Sequence, residues 1–142
     1  MNIQDVYTLA EERLIFMKGL ALLAMADGCV DEQEQAFILN AAIGFGLEHA
    51  IDELKCILND SGTVANVVIF NNRLQALLFI REAIQLSYVD GDYSDSERCV
   101  INSIAELNLI EKHEVAQLDN WVGQGIAWKK RGDDLIRELE VA

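Results

Sequence analysis

The reading of this chain turns on one stretch, Asp27-Gly28-Cys29-Val30-Asp31-Glu32-Gln33-Glu34, because it occurs twice. It returns sixty-three positions later as Asp90-Gly91-Asp92-Tyr93-Ser94-Asp95-Ser96-Glu97. In both copies an Asp-Gly pair precedes a capping box, Asp31-x-x-Glu34 or Ser94-x-x-Glu97. In such a box the first side chain accepts from a backbone N–H at the start of a helix, and the glutamate reaches back to the cap's own N–H. Glycine adopts the left-handed backbone that closes a preceding helix without steric penalty. Each stretch therefore predicts a helix, a sharp corner and a second helix.

The likeness extends on both sides. Leu14, Phe16 and Leu23 recur as Leu77, Phe79 and Leu86, and Ile15, Met17 and Lys18 return conservatively as Leu78, Ile80 and Arg81. Upstream, Val6-Tyr7-Thr8 answers Ile69-Phe70-Asn71, which makes Thr8 and Asn71 the expected N-caps. Downstream, Phe45-Gly46-Leu47 is matched to Leu107-Asn108-Leu109 with the offset slipped by one. On that match Gly46 and Asn108 close the second helix of each copy. Ile51, Leu54 and Ile57 then answer Val115, Leu118 and Trp121.

The expected fold is an all-α bundle of seven or eight helices, one domain over residues 1–142, built from two pseudo-symmetric three-helix repeats at about 6–59 and 69–123. The first helices are expected at 9–26 and 72–89. The third are expected at 49–58 and 112–122, and a separate C-terminal helix at 126–140. Apolar residues recurring at three and four support the long helices. Asp60-Ser61-Gly62 reads as the loop between copies. Residues 64–70 read as a short helix or turn, since no second strand exists to pair with them.

Composition agrees. The chain is 51% hydrophobic with no proline, which suits helix throughout and argues against disorder. The longest apolar run, residues 20–26, is far too short to span a bilayer, and the N-terminus has no basic region leading into an apolar run. A cytoplasmic protein without a transmembrane segment is expected. Eleven basic residues against 24 acidic ones leave a net charge of −13. That field repels phosphate backbones and disfavours nucleic acid, while favouring cations and basic protein partners. Trp128-Lys129-Lys130-Arg131 runs against the trend and reads as an exposed helix face. Cys29, Cys56 and Cys99 lack the spacing of a disulfide framework or zinc site and are expected as half-buried thiols.

Two readings of the corner acids stand. Asp and Glu near helix N-termini satisfy backbone donors and the helix dipole. Alternatively, with the two corners adjacent, Asp27, Glu34, Asp90 and Glu97 offer four carboxylates to one divalent cation; oxygen ligands suit calcium, magnesium or manganese. A standard EF-hand is excluded, because Leu23 and Met25, or Leu86 and Tyr88, stand where its first carboxylates belong.

The doubled Asp-Gly-x-Φ-x-x-x-Glu motif in an acidic helical chain resembles the TerB-like tellurite-resistance family, over residues 8–123. The resemblance implies a metal-associated acidic cluster on Asp27, Glu34, Asp90 and Glu97, with Asp31 beside them. It also implies a link to chemical stress and to membrane-associated complexes. Ser94 replaces the acid that matches Asp31, so the two half-sites are not equivalent.

Nothing else in the chain carries chemistry. His49 and His113 read as surface residues, and no Ser-His-Asp or Cys-His arrangement is present. Gly44-Phe45-Gly46 is not a phosphate loop. Phe16, Phe37, Phe45, Phe70, Phe79 and Trp121 lie on apolar stripes and are expected in the core. Tyr88 and Tyr93 flank the second corner. The expected function is thus that of a non-enzymatic, cytosolic, stress-related binding protein whose acidic corners hold a divalent cation, with an acidic protein-interaction module as the alternative in which the motifs are only caps.

Overall fold

Helix α5 (Arg73–Val89) buries Ala76, Leu78, Phe79, Ile80, Ala83 and Ile84, residues that lie on more than one side of the cylinder. A helix apolar over so much of its circumference belongs at the centre of a protein. The computed structural model describes residues 1–26, 28, 30–59, 68–89, 91 and 93–142. Before α5 come a single turn, α1 (Ile3–Val6), then α2 (Ala10–Ala24), α3 (Glu32–Gly44), a 3₁₀ turn (Glu48–Ala50) and α4 (Ile51–Asn59). After it come α6 (Asp95–Leu107) and α7 (Lys112–Glu140). The described residues form an all-α bundle of seven helices without a strand. Helices α2, α3 and α4 pack on one another, α5 packs on α6 and α7, and α2 contacts both α5 and α6.

Four rings close a cycle in the core. Tyr7 meets Phe16 at 5.0 Å between centroids, Phe16 meets Phe79 at 5.5 Å, Phe79 meets Phe70 at 5.2 Å, and Phe70 meets Tyr7 at 6.2 Å. Three of these contacts are edge-to-face, the geometry that ring quadrupoles favour. The Tyr7 hydroxyl donates to the Gln75 carbonyl, so the one polar atom of the cycle is satisfied. Burial, first, and the nearby Glu82 charge push that hydroxyl's pKa well above the usual tyrosine range.

Several expectations need correction. The caps lie one residue later than expected. Helix α5 is capped by Asn72, whose Oδ1 accepts from Gln75 N–H at 2.9 Å, and α2 starts after Leu9. Asn71 and Thr8 instead donate from their side chains to Glu12, at 3.0 and 3.4 Å. The offset does not slip at the second corner pair. Gly46 has φ +76°, but Asn108 keeps an ordinary backbone and Leu109 takes φ +59°. The helix-closing bonds Leu47 N–H to Ala42 O and Ile110 N–H to Ala105 O match residue for residue at an offset of sixty-three. Asn108 is used otherwise: its side chain holds Phe70 N–H and Val68 O, tying residues 68–70 to α6.

Helices expected at 112–122 and 126–140 are one, α7, because Gly123 and Gly125 are simply absorbed into it. Glycine weakens a helix interior but only proline obliges it to stop. Phe37 and Trp121 are not core; they are 62% and 54% exposed. Cys56 and Cys99 are exposed rather than half-buried. Residues 60–67, which hold the expected inter-repeat loop and most of the 64–70 segment, and Cys29 lie outside the described residues. No described helix is long and apolar enough to cross a membrane.

Candidate functional site

The two corners are built alike where the structure describes them. Gly28 sits at φ +102° and Gly91 at φ +146°, backbone that side chains rarely adopt. Asp31 then caps α3, its Oδ1 accepting from Glu34 N–H at 2.8 Å. Ser94 caps α6 with a full reciprocal box: Ser94 Oγ accepts from Glu97 N–H at 3.1 Å, and Glu97 Oε1 accepts from Ser94 N–H at 3.0 Å. Both corners are thus capped by the residue read as the cap, with the reciprocal glutamate bond shown at the second.

Of the five candidate ligands, Asp27 and Asp90 lie outside the described residues, while Asp31, Glu34 and Glu97 are described. These three carboxylates line one cleft of about 590 Å³, together with Gly91 and Ser94. The two corners, far apart in sequence, therefore open on the same space. Apolar Leu20, Leu23, Phe37 and Leu86 also line it, from α2, α3 and α5, beside Gln33 and Ser87. This explains why Phe37 leaves the core, since its ring forms part of the cleft. The cleft therefore joins a hydrocarbon surface to carboxylates supplied by two different helix starts.

The second corner is braced and the first is not braced in the same way. Arg98 stacks its guanidinium over the Tyr93 ring at 3.9 Å and donates from Nη1 to Asp119 Oδ2 at 2.9 Å. Tyr88 donates to the other Asp119 oxygen at 2.8 Å, and the Tyr88 and Tyr93 rings meet edge-on at 5.4 Å. The bond to Asp119 and burial raise the Tyr88 pKa; burial raises that of Tyr93, and the bond to Asp119 raises that of Arg98. This clamp ties α6 and the corner to α7. At the matching positions of the first corner stand Val30 and Gln35, which have neither ring nor charge. The sequence pointed to the two tyrosines; Arg98 and Asp119 carried no local signal, because their partnership depends on how α6 meets α7.

Among the described residues, the His and acid side chains whose ligand atoms converge are Glu111, His113 and Glu114, within 4.8 Å at the start of α7. They already serve other roles. Glu114 Oε1 accepts from Glu111 N–H at 3.1 Å, its Oε2 pairs with Arg73, and His113 Nδ1 lies 3.0 Å from Glu111 Oε2. His49 and His113 are both exposed.

No protein-family model matches the chain, and no curated protein and no solved structure gives a significant match.

Proposed function

We propose that this chain is a binding module whose inter-corner cleft receives a basic, amphipathic segment of a protein partner. The observation that carries this is the cleft's double character. Apolar side chains of α2, α3 and α5 line it beside Asp31, Glu34 and Glu97. An amphipathic helix with lysine or arginine on its margin satisfies both features: its apolar face covers the hydrocarbon and its cations meet the acids. The net charge of −13 steers such a partner inward.

A second reading draws on the same cleft. Asp31 and Glu34 after the first Asp-Gly pair and Glu97 after the second border one cleft, and a shared divalent cation on Asp27, Asp31, Glu34, Asp90 and Glu97 would need the two corners adjacent in this way. On this reading the TerB-like resemblance extends from motif to chemistry, with calcium, magnesium or manganese bound by oxygen.

Fluorescence anisotropy of a labelled Lys/Leu amphipathic peptide, at low and high salt, tests the first reading. Binding that weakens with salt and falls about tenfold in Phe37→Ala supports it. Asp31→Asn, which keeps a capping side chain while removing charge, weakens binding too. Absence of binding, or equal binding to all variants, removes it. Isothermal titration with the three cations, on the native chain and on Asp27→Asn/Asp90→Asn, tests the second. Heat that vanishes in the variant supports a bound cation.

A further inference from the structure

Beyond Val122, α7 has no buried side chain: residues 124–142 are exposed save Asp134, which is half-buried. Such a helix draws no support from its own bundle, yet helices owe most of their stability to a packed apolar face. It also contains Gly125 and Gly132, each weakening a helix interior by roughly 1 kcal/mol relative to alanine. One set of its small and apolar residues is nevertheless ordered, with Ile126, Ile136 and Val141 lying off it. Gly125, Trp128, Gly132, Leu135, Leu139 and Ala142 follow one another at spacings of three and four, one seam along the cylinder. Trp128 is 80% exposed and Leu139 64% exposed on that seam.

We propose that this seam is an antiparallel interface between two copies of the chain. The alternation of large and small residues decides the direction. A parallel pair sets Trp128 against Trp128 and Gly132 against Gly132, with a clash followed by a void. An antiparallel pair sets Trp128 against Leu139 of the second copy and Gly132 against Leu135, so each layer joins unequal volumes. The same register places Arg131 beside Glu138 of the second copy, twice, by the two-fold symmetry of an isologous contact. These residues already reach each other within one chain at 3.0 Å, which sets both on the same margin of the seam. Charge also permits approach here. Residues 124–142 hold four basic and four acidic side chains, whereas the whole chain carries −13. Two copies therefore meet along this segment without the net repulsion that the whole chain's charge would bring.

Sedimentation equilibrium of the full chain, from low micromolar to sub-millimolar concentration, tests the interface. The native chain reaches twice its 15.9 kDa mass. Trp128→Ala and Leu135→Asp each weaken association at least tenfold, and both positions are exposed, so the bundle stays folded by circular dichroism. Arg131→Glu and Glu138→Arg chains each associate about tenfold more weakly alone, yet form a mixed dimer when combined. Neither variant retains the pair within its own chain, so recovery on mixing reports the contact between chains. A native chain that remains monomeric overturns the proposal. So does association unaffected by Leu135→Asp, mixing without recovery, or a dimer abolished by Phe37→Ala in the cleft.

Discussion

Gln75 donates from Nε2 to Glu12 Oε2 at 2.6 Å, joining two residues sixty-three positions apart. Tyr7 with Phe70 and Phe16 with Phe79 share that separation, and they too are in contact. Positions equated by the repeat thus meet in pairs where α2 and α5 come together. Glu12 is the polar centre of this junction. Besides Gln75 it accepts from Leu9 N–H at 3.0 Å and from Asn71 Nδ2 at 3.0 Å; it is buried, and among the described residues no cation pairs with it. A carboxylate supplied with so many donors stays ionised without a counter-charge.

Those bonds, Gln75's first, hold the Glu12 pKa below its ordinary 4.5. The unfolded chain therefore takes up this proton more readily than the folded one. The stabilisation from Glu12 is complete above 4.5 and is lost as pH falls through the folded value. Glu12→Gln turns an amide donor toward the donors of Gln75 or Asn71. The expected result is a lower melting temperature at neutral pH and a smaller further loss between pH 6 and pH 3 than in the native chain, both read by circular dichroism. Parallel acid profiles would count against the junction as described.

Gly19 lets Phe79 press against the backbone of α2; a Cβ at that position would lie 2.6 Å from the end of the ring. Phe79 is fully buried between Phe16 and Phe70 and cannot yield easily. Alanine would gain about 1 kcal/mol of helix propensity. The overlap costs about 1–3 kcal/mol, so Gly19→Ala is expected to be net destabilising by about 1 kcal/mol in urea unfolding. A stabilised variant would show that the ring packing is looser than described.

The parts of the fold that follow from local chemistry were legible in the sequence. Asp31 and Ser94 were readable as caps because a capping oxygen needs only its own helix start, and Gly28, Gly46 and Gly91 because positive φ is a property of single residues. What stayed hidden depends on distant packing. Trp121 has the apolar spacing of a core residue, but at its place on α7 it stands over Arg81, 5.7 Å from the guanidinium, with its ring half-exposed. Phe37 looks like core until the cleft is seen. At Asn108 and Leu109, residue type misled: the better turn former was needed to hold Phe70 and Val68, and leucine took the positive φ instead.

Asp119 accepts from both Tyr88 and Arg98, so Asp119→Ala removes the clamp on the second corner with one change. The groups are partly solvent-exposed, and the loss is held to about 1 kcal/mol by screening and rehydration. Local consequences exceed that global one. Amide hydrogen exchange at residues 93–97 is expected to accelerate, while the corresponding residues 30–34 of the first corner remain unchanged. Equal acceleration at both corners would show that Asp119 acts on the whole bundle rather than on this corner.

Leu109 holds φ +59° with its side chain 83% exposed, so it bears backbone strain without a compensating contact in the core. The left-handed conformation costs an ordinary residue about 1–2 kcal/mol, and glycine bears no such penalty. Gly46, at the matching place of the first copy, already does so at φ +76°. Leu109→Gly gives back part of the gain by loosening the unfolded chain, by about 0.4–1 kcal/mol. Its net effect is therefore stabilisation, by up to about 1 kcal/mol. Leu109→Asn, which tolerates this backbone with a smaller entropic penalty, is expected to gain a similar amount. A substitution of exposed leucine by a smaller or polar residue that raises the urea midpoint has no source here other than backbone strain. Destabilisation by both variants would show that the leucine side chain has a partner, or that the helix does not end as described.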